Sequence, residues 1–325
     1  MARILVTGGA GYIGSHTAHY LLRLGHDVQV VDDLSHGYAH NVPAGRLHVL
    51  NLLDTAGLDA LLARFSFDAV VHFAAFIAVG ESTRQPEMYF RNNCGATFSL
   101  LDSMARAGVR RIVFSSTAAV YGNPERTPIT EDMPHRPVNP YGQTKLTVET
   151  AMRWMDQCSG LRFVALRYLN ACGAEEAFGI GEEHDPETHL IPLVLRATRS
   201  GQPLTVFGDD YPTPDGTCIR DYVHVSDLAA AHAAVLDHLM GGGASASFNA
   251  GTGQGYSVLE VIRAVDRVTG GTAPYTVGPR REGDPAILVA DSTRLQQALG
   301  WKPAYTTLDS MVESAWKFDR KKTGD

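Results

Sequence analysis

Between residues 3 and 168, short β-branched runs alternate with stretches of helical apolar spacing, which restricts the chain to a βαβ build. Candidate strands lie at 3–7, 28–32, 47–50, 69–73, 111–115 and 163–168. Several are apolar at nearly every position, as expected of strands covered by helices on both faces. The stretch after the first run places Ile13, Thr17, Tyr20, Leu21 and Leu24 at helical spacing and stops at Gly25. Six such units predict an α/β fold with a doubly wound parallel (Rossmann) sheet over residues 1–172. Beyond residue 172 the texture changes. Gly, Pro, Asp and Glu crowd 173–186 and 208–216, helical patterns return at 190–199, 225–239, 258–268 and 307–318, and 248–250 reads as a late edge strand. Residues 173–325 therefore read mainly as a smaller α+β lobe, with segments near 225–255 returning to the first sheet.

Composition narrows the class. Of 325 residues, 44% are apolar and 19% charged, an ordinary globular mix. No apolar run approaches the ~18 residues of a membrane span. The net charge of −7 argues against nucleic acid or an anionic membrane as partner, and an anionic substrate needs its own local cations. Cys94, Cys158, Cys172 and Cys218 are too scattered for a metal or redox motif, which suits reduced thiols in the cytoplasm. No metal ligand set is predicted.

The first strand runs into Thr7-Gly8-Gly9-Ala10-Gly11-Tyr12-Ile13-Gly14. Gly8, Gly11 and Gly14 fall at a strand-to-helix junction, where missing β-carbons tighten the turn and let the backbone approach a pyrophosphate. The second strand ends at Asp32, eighteen residues past Gly14, where a carboxylate accepts from adenosine ribose hydroxyls. Asp33 follows, no arginine is near in sequence, and two carboxylates repel a 2′-phosphate. The predicted cofactor is NAD rather than NADP.

The chain has 23 arginines and five lysines, and Lys145 is the only lysine before residue 302. A compact ammonium is suited to a place beside a phenol and a ribose. Lys145 follows Tyr141 by four residues in Asn139-Pro140-Tyr141-Gly142-Gln143-Thr144-Lys145; Asn139 caps a helix, Pro140 opens it, and the pair shares one face. An ammonium and a bound nicotinium both favour phenolate, so Tyr141 is expected to have a lowered pKa and act as a general base. The run Ser115-Ser116-Thr117, just past an apolar strand, supplies a partner hydroxyl.

These residues resemble the extended short-chain dehydrogenase/reductases and, within them, the UDP-galactose (UDP-glucose) 4-epimerases over essentially the whole chain. Further matches are His72-Phe73-Ala74-Ala75, Val79-Gly80-Glu81-Ser82, Asn92-Asn93, Tyr168-Leu169-Asn170, Asp209-Asp210-Tyr211-Pro212, Arg220-Asp221-Tyr222 and Arg280-Arg281-Glu282-Gly283-Asp284. The resemblance implies an isomerase with tightly held NAD in the first domain, no net redox change, and a UDP-sugar in the second lobe. Tyr141, Lys145 and Thr117 become the catalytic set. Cofactor contacts fall on Gly8, Gly11, Tyr12, Ile13, Gly14, Asp32, Asp33, Leu34, Asn51, Leu52, Phe73, Ala74, Ala75, Asn92, Ser115, Tyr141, Lys145 and Leu169. UDP-sugar contacts fall on Thr117, Tyr141, Asn170, His189, Leu190, Phe207, Arg220, Arg281 and Asp284. The chain departs from the family pattern at Asn51 (commonly Asp), Ile77 (a lysine), Leu169 (Phe) and His189 (often Asn).

Leu288 stands where hexose-specific members often carry tyrosine, which predicts room for UDP-N-acetylhexosamines. Competing readings are an epimerase of UDP-uronates or UDP-pentoses, a nucleotide-sugar 4,6-dehydratase, and a non-catalytic NAD(P) redox sensor. Ala118 and Ala119 lack the acids a dehydratase needs beside its active hydroxyl, and a sensor has no need of the Tyr141/Lys145 pair. The resemblance also implies a homodimer, with Ala96, Leu100, Met104, Met152 and Met155 offering an apolar helix face.

Overall fold

The computed structural model describes residues 1–281 and 284–324. Six strands come first: β1 (Arg3–Thr7), β2 (Asp27–Asp32), β3 (Leu47–Val49), β4 (Ala69–His72), β5 (Arg111–Ser115) and β6 (Arg162–Arg167). Then come β7 (Asn170–Cys172), β8 (Leu204–Phe207), β9 (Ile219–His224), β10 (Ala246–Asn249), β11 (Gly255–Ser257), β12 (Tyr275–Gly278) and β13 (Ile287–Leu288). The main sheet has the order β3-β2-β1-β4-β5-β6-β10, all parallel. This is the doubly wound pattern, and the order in which strands are added switches sides between β1 and β4, where such sheets bind ligands.

The helices are α1 (Tyr12–Arg23), α2 (Thr55–Phe65), α3 (Val79–Arg84), α4 (Pro86–Tyr89), α5 (Ala96–Ala107) and α6 (Pro140–Ser159), then α7 (Leu190–Ser200), α8 (Val225–Met240), α9 (Val258–Thr269), α10 (Thr293–Leu299) and α11 (Leu308–Thr323). Successive strand residues alternate between two cores, the period-two consequence of the pleat. Ile4, Val6, Val28, Val30 and Val71 face α1, α8 and α10, with Leu21, Leu236, Leu295 and Trp301. Leu5, Val31, Val70, Ile112 and Phe114 face α2, α5 and α6, with Leu58, Leu100, Met104 and Met152.

In the second lobe, Ile191, Val194 and Leu195 of α7 join Val261 and Ile262 of α9 and Met311 and Val312 of α11 around Tyr222. The strand β9 organises this lobe. It runs antiparallel to β11 and parallel to β7 and β13, while β8 and β12 form a separate parallel pair.

Two sequence expectations change. Leu24 is half exposed because α1 ends at Arg23, so it lies outside the buried stripe. Ala96, Leu100, Met104 and Met152 are buried under the main sheet and Met155 packs on the same core, so they offer no free face for a second subunit. The large apolar side chain exposed on α6 is Trp154.

Candidate functional site

The glycine loop lies against the segment after β4. Gly8 has φ +70°, and a β-carbon there would stand 2.4 Å from the Ala74 backbone nitrogen; one on Gly14 would stand 2.2 Å from the Gly8 carbonyl oxygen. A β-carbon on Gly11 would meet only that oxygen, at 3.4 Å, so the protein's own packing does not exclude a side chain there. Its bare backbone lies where a pyrophosphate would approach. No side chain caps α1 and no acid occupies its first turn, so the N–H groups of Tyr12, Ile13 and Gly14 keep their pull on an anion. These observations fit a dinucleotide.

Asp32 is buried, and its carboxylate accepts from the Ala10 N–H and the Leu34 N–H, both at 2.9 Å. Burial raises its pKa, with those backbone bonds opposing. The acidic side chain therefore fixes the glycine loop against the end of β2. Asp33 accepts from the Asn51 amide at 2.7 Å, and Leu52 is buried beside them. Phe73 donates its N–H to the Thr7 carbonyl, and its ring lies tilted against His232 with centres 4.6 Å apart. Asn92 lies in a π-helical turn, Phe90–Gly95, between α4 and α5.

At the carboxyl edge of the sheet the reactive groups converge. Asn139 caps α6, its side chain accepting from the Gly142 N–H at 2.8 Å with Pro140 in the first turn. That cap sets Tyr141 and Lys145 on adjacent turns. Lys145 is buried; its Nζ donates to the Ser115 carbonyl at 2.9 Å and lies 6.0 Å from the Tyr141 ring centre. Thr117, capping the short turn Ala118–Tyr121, hydrogen-bonds the Tyr141 hydroxyl. Ser115 Oγ pairs with the Tyr168 hydroxyl.

The electrostatics correct one expectation. Burial pushes Tyr141 up to about 12, with the Thr117 bond opposing, and burial lowers Lys145 to about 7. Desolvation disfavours both charged forms, and the Lys145 ammonium points at a carbonyl rather than the phenol. The lowered tyrosine pKa expected from the pair is not a property of these side chains alone.

Sequence reasoning missed the support behind this edge. Glu149, one turn beyond Lys145, and Arg167 are both fully buried. Arg167 donates to Glu149 through Nε (2.9 Å) and Nη2 (2.5 Å), and through Nη1 to the Tyr121 hydroxyl, which donates to Asn249. Ser116 Oγ also donates to Glu149, at 2.6 Å. Asn93 enters the sequence reading only within the Asn92-Asn93 match and without a role. It accepts from the Phe76 N–H, donates to the Phe76 carbonyl and reaches Thr144 on α6, tying the loop after β4 to the Tyr141 helix. A π-helical turn has no periodic signature, so spacing alone did not show this bridging role.

The second lobe brings its predicted residues to the same edge. Asn170 opens β7 opposite Tyr222 of β9, and Leu288 of β13 is registered with Arg220. Leu288 and Leu169 pack on the cluster formed by Ala118, Val120, Tyr121, Ile129 and Met133. Arg220 is ion-paired with Asp284, and the Arg281 guanidinium lies 4.1 Å from the Phe207 ring centre. Arg281 and Asp284 line a cleft of about 700 Å³ with Asn123, Pro212 and Ile287. Glu282 and Gly283 of the same motif lie outside the described residues. Leu190 begins α7, and His189, expected on a diphosphate, instead turns Nδ1 toward Glu182 and Glu187.

The chain is similar to known proteins over nearly its whole length. UDP-glucose 4-epimerase of Halalkalibacterium halodurans is 49% identical over 319 residues, covering 98% of this chain and 96% of that protein. The crystal structure of UDP-glucose 4-epimerase from Brucella ovis in complex with NAD superposes with a TM-score of 0.94 at 44% identity, covering 98% of each chain. That from Bifidobacterium longum, in complex with NAD+ and UDP, gives 0.93 at 39% identity, covering 99% of each. The family pattern itself spans residues 4–251, and the chain belongs to the NAD dependent epimerase/dehydratase family.

Proposed function

We propose that this chain interconverts UDP-galactose and UDP-glucose by NAD-dependent inversion at C4 through a transient 4-keto sugar. NAD takes up and returns the hydride; positioning and proton transfer fall to the chain. The observation that carries the reading is the convergence of Tyr141, Thr117 and Lys145 at the sheet edge beside the glycine loop.

Tyr141 removes the 4-hydroxyl proton, and Thr117 hydrogen-bonds the reacting oxygen. Burial alone leaves the phenol near 12, so its ionisation needs positive charge close by; the Lys145 ammonium and the oxidised nicotinamide ring are the two sources. Phenolate and ammonium stabilise one another, which also restores the charge that burial removes from Lys145. Residues 1–172, with segments from 225–255, hold the dinucleotide. Residues 173–325 mainly hold the UDP-sugar, through Asn170, Leu190, Phe207, Arg220, Arg281 and Asp284 and the remaining nitrogen of His189. Gripping the nucleotide while holding the hexose loosely lets the keto sugar turn over and take the hydride back on its other face.

The test releases and identifies bound nucleotide, then assays UDP-galactose conversion without added cofactor. Tyr141→Phe should keep NAD and lose about 10²–10⁴-fold in kcat, the usual worth of a positioned base. Full turnover in that variant overturns the assignment.

UDP-N-acetylhexosamines are a second substrate class, favoured by Leu288, smaller than a tyrosine, on the cluster that contains Ala118, the residue after Thr117. The chain pairs as a homodimer in the cytoplasm. Exposed Trp154 on α6 and four free cysteines support this reading, and light scattering on eluting protein checks the pairing. Among the described residues no helix is long and apolar enough to cross a membrane.

A further inference from the structure

The loop that leads into α7 carries a compact group of which the reading above uses only the other nitrogen of His189. Glu182, His184, Glu187 and His189 present one ligand atom each, all within 4.8 Å of one another, the one such cluster among the described residues. Nδ1 of His189 lies 2.9 Å from Glu182 Oε1 and 3.0 Å from Glu187 Oε1. Nδ1 of His184 lies 3.5 Å from the same Glu182 oxygen and 3.5 Å from Glu187 Oε2. Four donors around a tetrahedral ion with bonds of 2.0–2.1 Å stand about 3.3 Å apart, inside the 4.8 Å that encloses the four ligand atoms.

Protons alone do not satisfy this group. A ring nitrogen carries one hydrogen in the ring plane, and that of His189 serves Glu187. Glu182 Oε1 and His184 Nδ1, both buried, are left with no hydrogen-bond partner. Burying such atoms unsatisfied is costly, and these two lie only 3.5 Å apart. A shared cation satisfies both at once. Glu187 is already oriented as an outer partner would orient a ligand, since its Oε1 accepts from the Thr188 and His189 N–H groups while Oε2 faces His184.

We propose that Glu182, His184, Glu187 and His189 bind one divalent transition-metal ion. Two imidazoles and two carboxylates select the zinc class over magnesium or calcium, which take all-oxygen shells. The ion closes the loop on itself at the N-terminus of α7. The His184 ring lies edge-on to Tyr12, 6.1 Å away, so the same clasp fixes the loop against the start of α1. Its task is to hold the second lobe's entry loop against the dinucleotide-binding helix, separate from hydride transfer.

The test uses the full chain without a histidine tag, stripped by chelator and titrated calorimetrically with zinc chloride, with magnesium chloride as control. One zinc per chain, no comparable magnesium binding, and visible d–d bands of tetrahedral geometry when cobalt(II) replaces zinc are expected. His184→Asn and Glu187→Gln should each weaken zinc binding by more than about tenfold, the loss that even an outer partner costs. Absence of stoichiometric zinc binding, or equal affinity in both variants, overturns the site and leaves an ion-paired cluster of protonated imidazoles. The cobalt spectrum of unmutated protein decides the matter if a variant fails to fold. Metal content, not turnover, is the readout, so failure here leaves the 4-epimerase reading intact.

Discussion

Methionine at Glu149, Arg167 or both measures what the buried ion pair behind the reactive edge contributes. Neither side chain is more than 2% exposed, so solvent does not screen the pair. Burial works to raise the Glu149 pKa, but the Arg167 hydrogen bonds and charge outweigh it and hold the carboxyl below its ordinary range. Glu149→Met strands a buried guanidinium and should cost about 3–5 kcal/mol. Arg167→Met should fall at the lower end of that range, because Arg153 lies 3.6 Å from Glu149 and offers a second cation. The double variant leaves only Ser116 and the Tyr121 hydroxyl short of one partner each, a loss of about 1 kcal/mol apiece.

The cycle therefore predicts a coupling of about 5 kcal/mol, read from urea unfolding of the three variants. Because the folded-state pKa of Glu149 is depressed, its contribution is present above the normal carboxylate range and lost as pH falls through the lowered value. The gap between wild type and Glu149→Met should thus hold steady from alkaline pH to about pH 5 and narrow in acid. A double variant as unstable as the sum of the singles, or a gap that widens in acid, refutes this account.

Three other outcomes are expected. Burial places Lys145 at about 7, below the value of about 10.4 in an unfolded chain, so the folded state binds fewer protons between them and stability rises with pH across that window; Lys145→Met should flatten that rise while abolishing turnover, and a denaturation series from pH 6 to about pH 10 reads it. Leu288→Tyr should lower kcat/KM for UDP-N-acetylgalactosamine by tenfold or more, about 1.4 kcal/mol, and spare UDP-galactose; equal losses on both would place Leu288 away from the sugar. Gly14→Ala puts a methyl 2.2 Å from the Gly8 carbonyl oxygen, so the purified variant should lack stoichiometric dinucleotide in its released-nucleotide assay.

What could be read from sequence was local. The glycine loop, Asp32 and the Asn139–Lys145 helix start each lie within one strand–turn–helix unit, where spacing determines geometry. The apolar runs likewise marked the buried strands because parallel strands bury both faces. Long-range placement was not legible. Arg220, Asn170 and Leu288 become neighbours only through β9, which pairs with β7 and β13 from distant parts of the chain. Glu149 and Arg167 look like ordinary surface charges in sequence until α6 and β6 bring them together behind Ser116. The sulfur- and methyl-rich faces of α5 and α6 were ambiguous for the opposite reason, since core and interface draw on the same residue types.

The route of the backbone has a mechanical consequence. After β9 the chain returns as α8 to cover α1, adds β10 to the main sheet, leaves for β11 and α9, and returns once more through α10 and Trp301, whose indole N–H donates to the Asp227 carbonyl. A fragment ending at residue 172 would leave α1 uncovered and β6 as a raw border, so neither lobe survives excision. Repeated stitching also forbids the wide clamshell opening that two halves joined by one strap would permit. Ligand traffic must then pass by local shifts of loops and side chains, which suits a machine that keeps its oxidant and exchanges only sugar nucleotides.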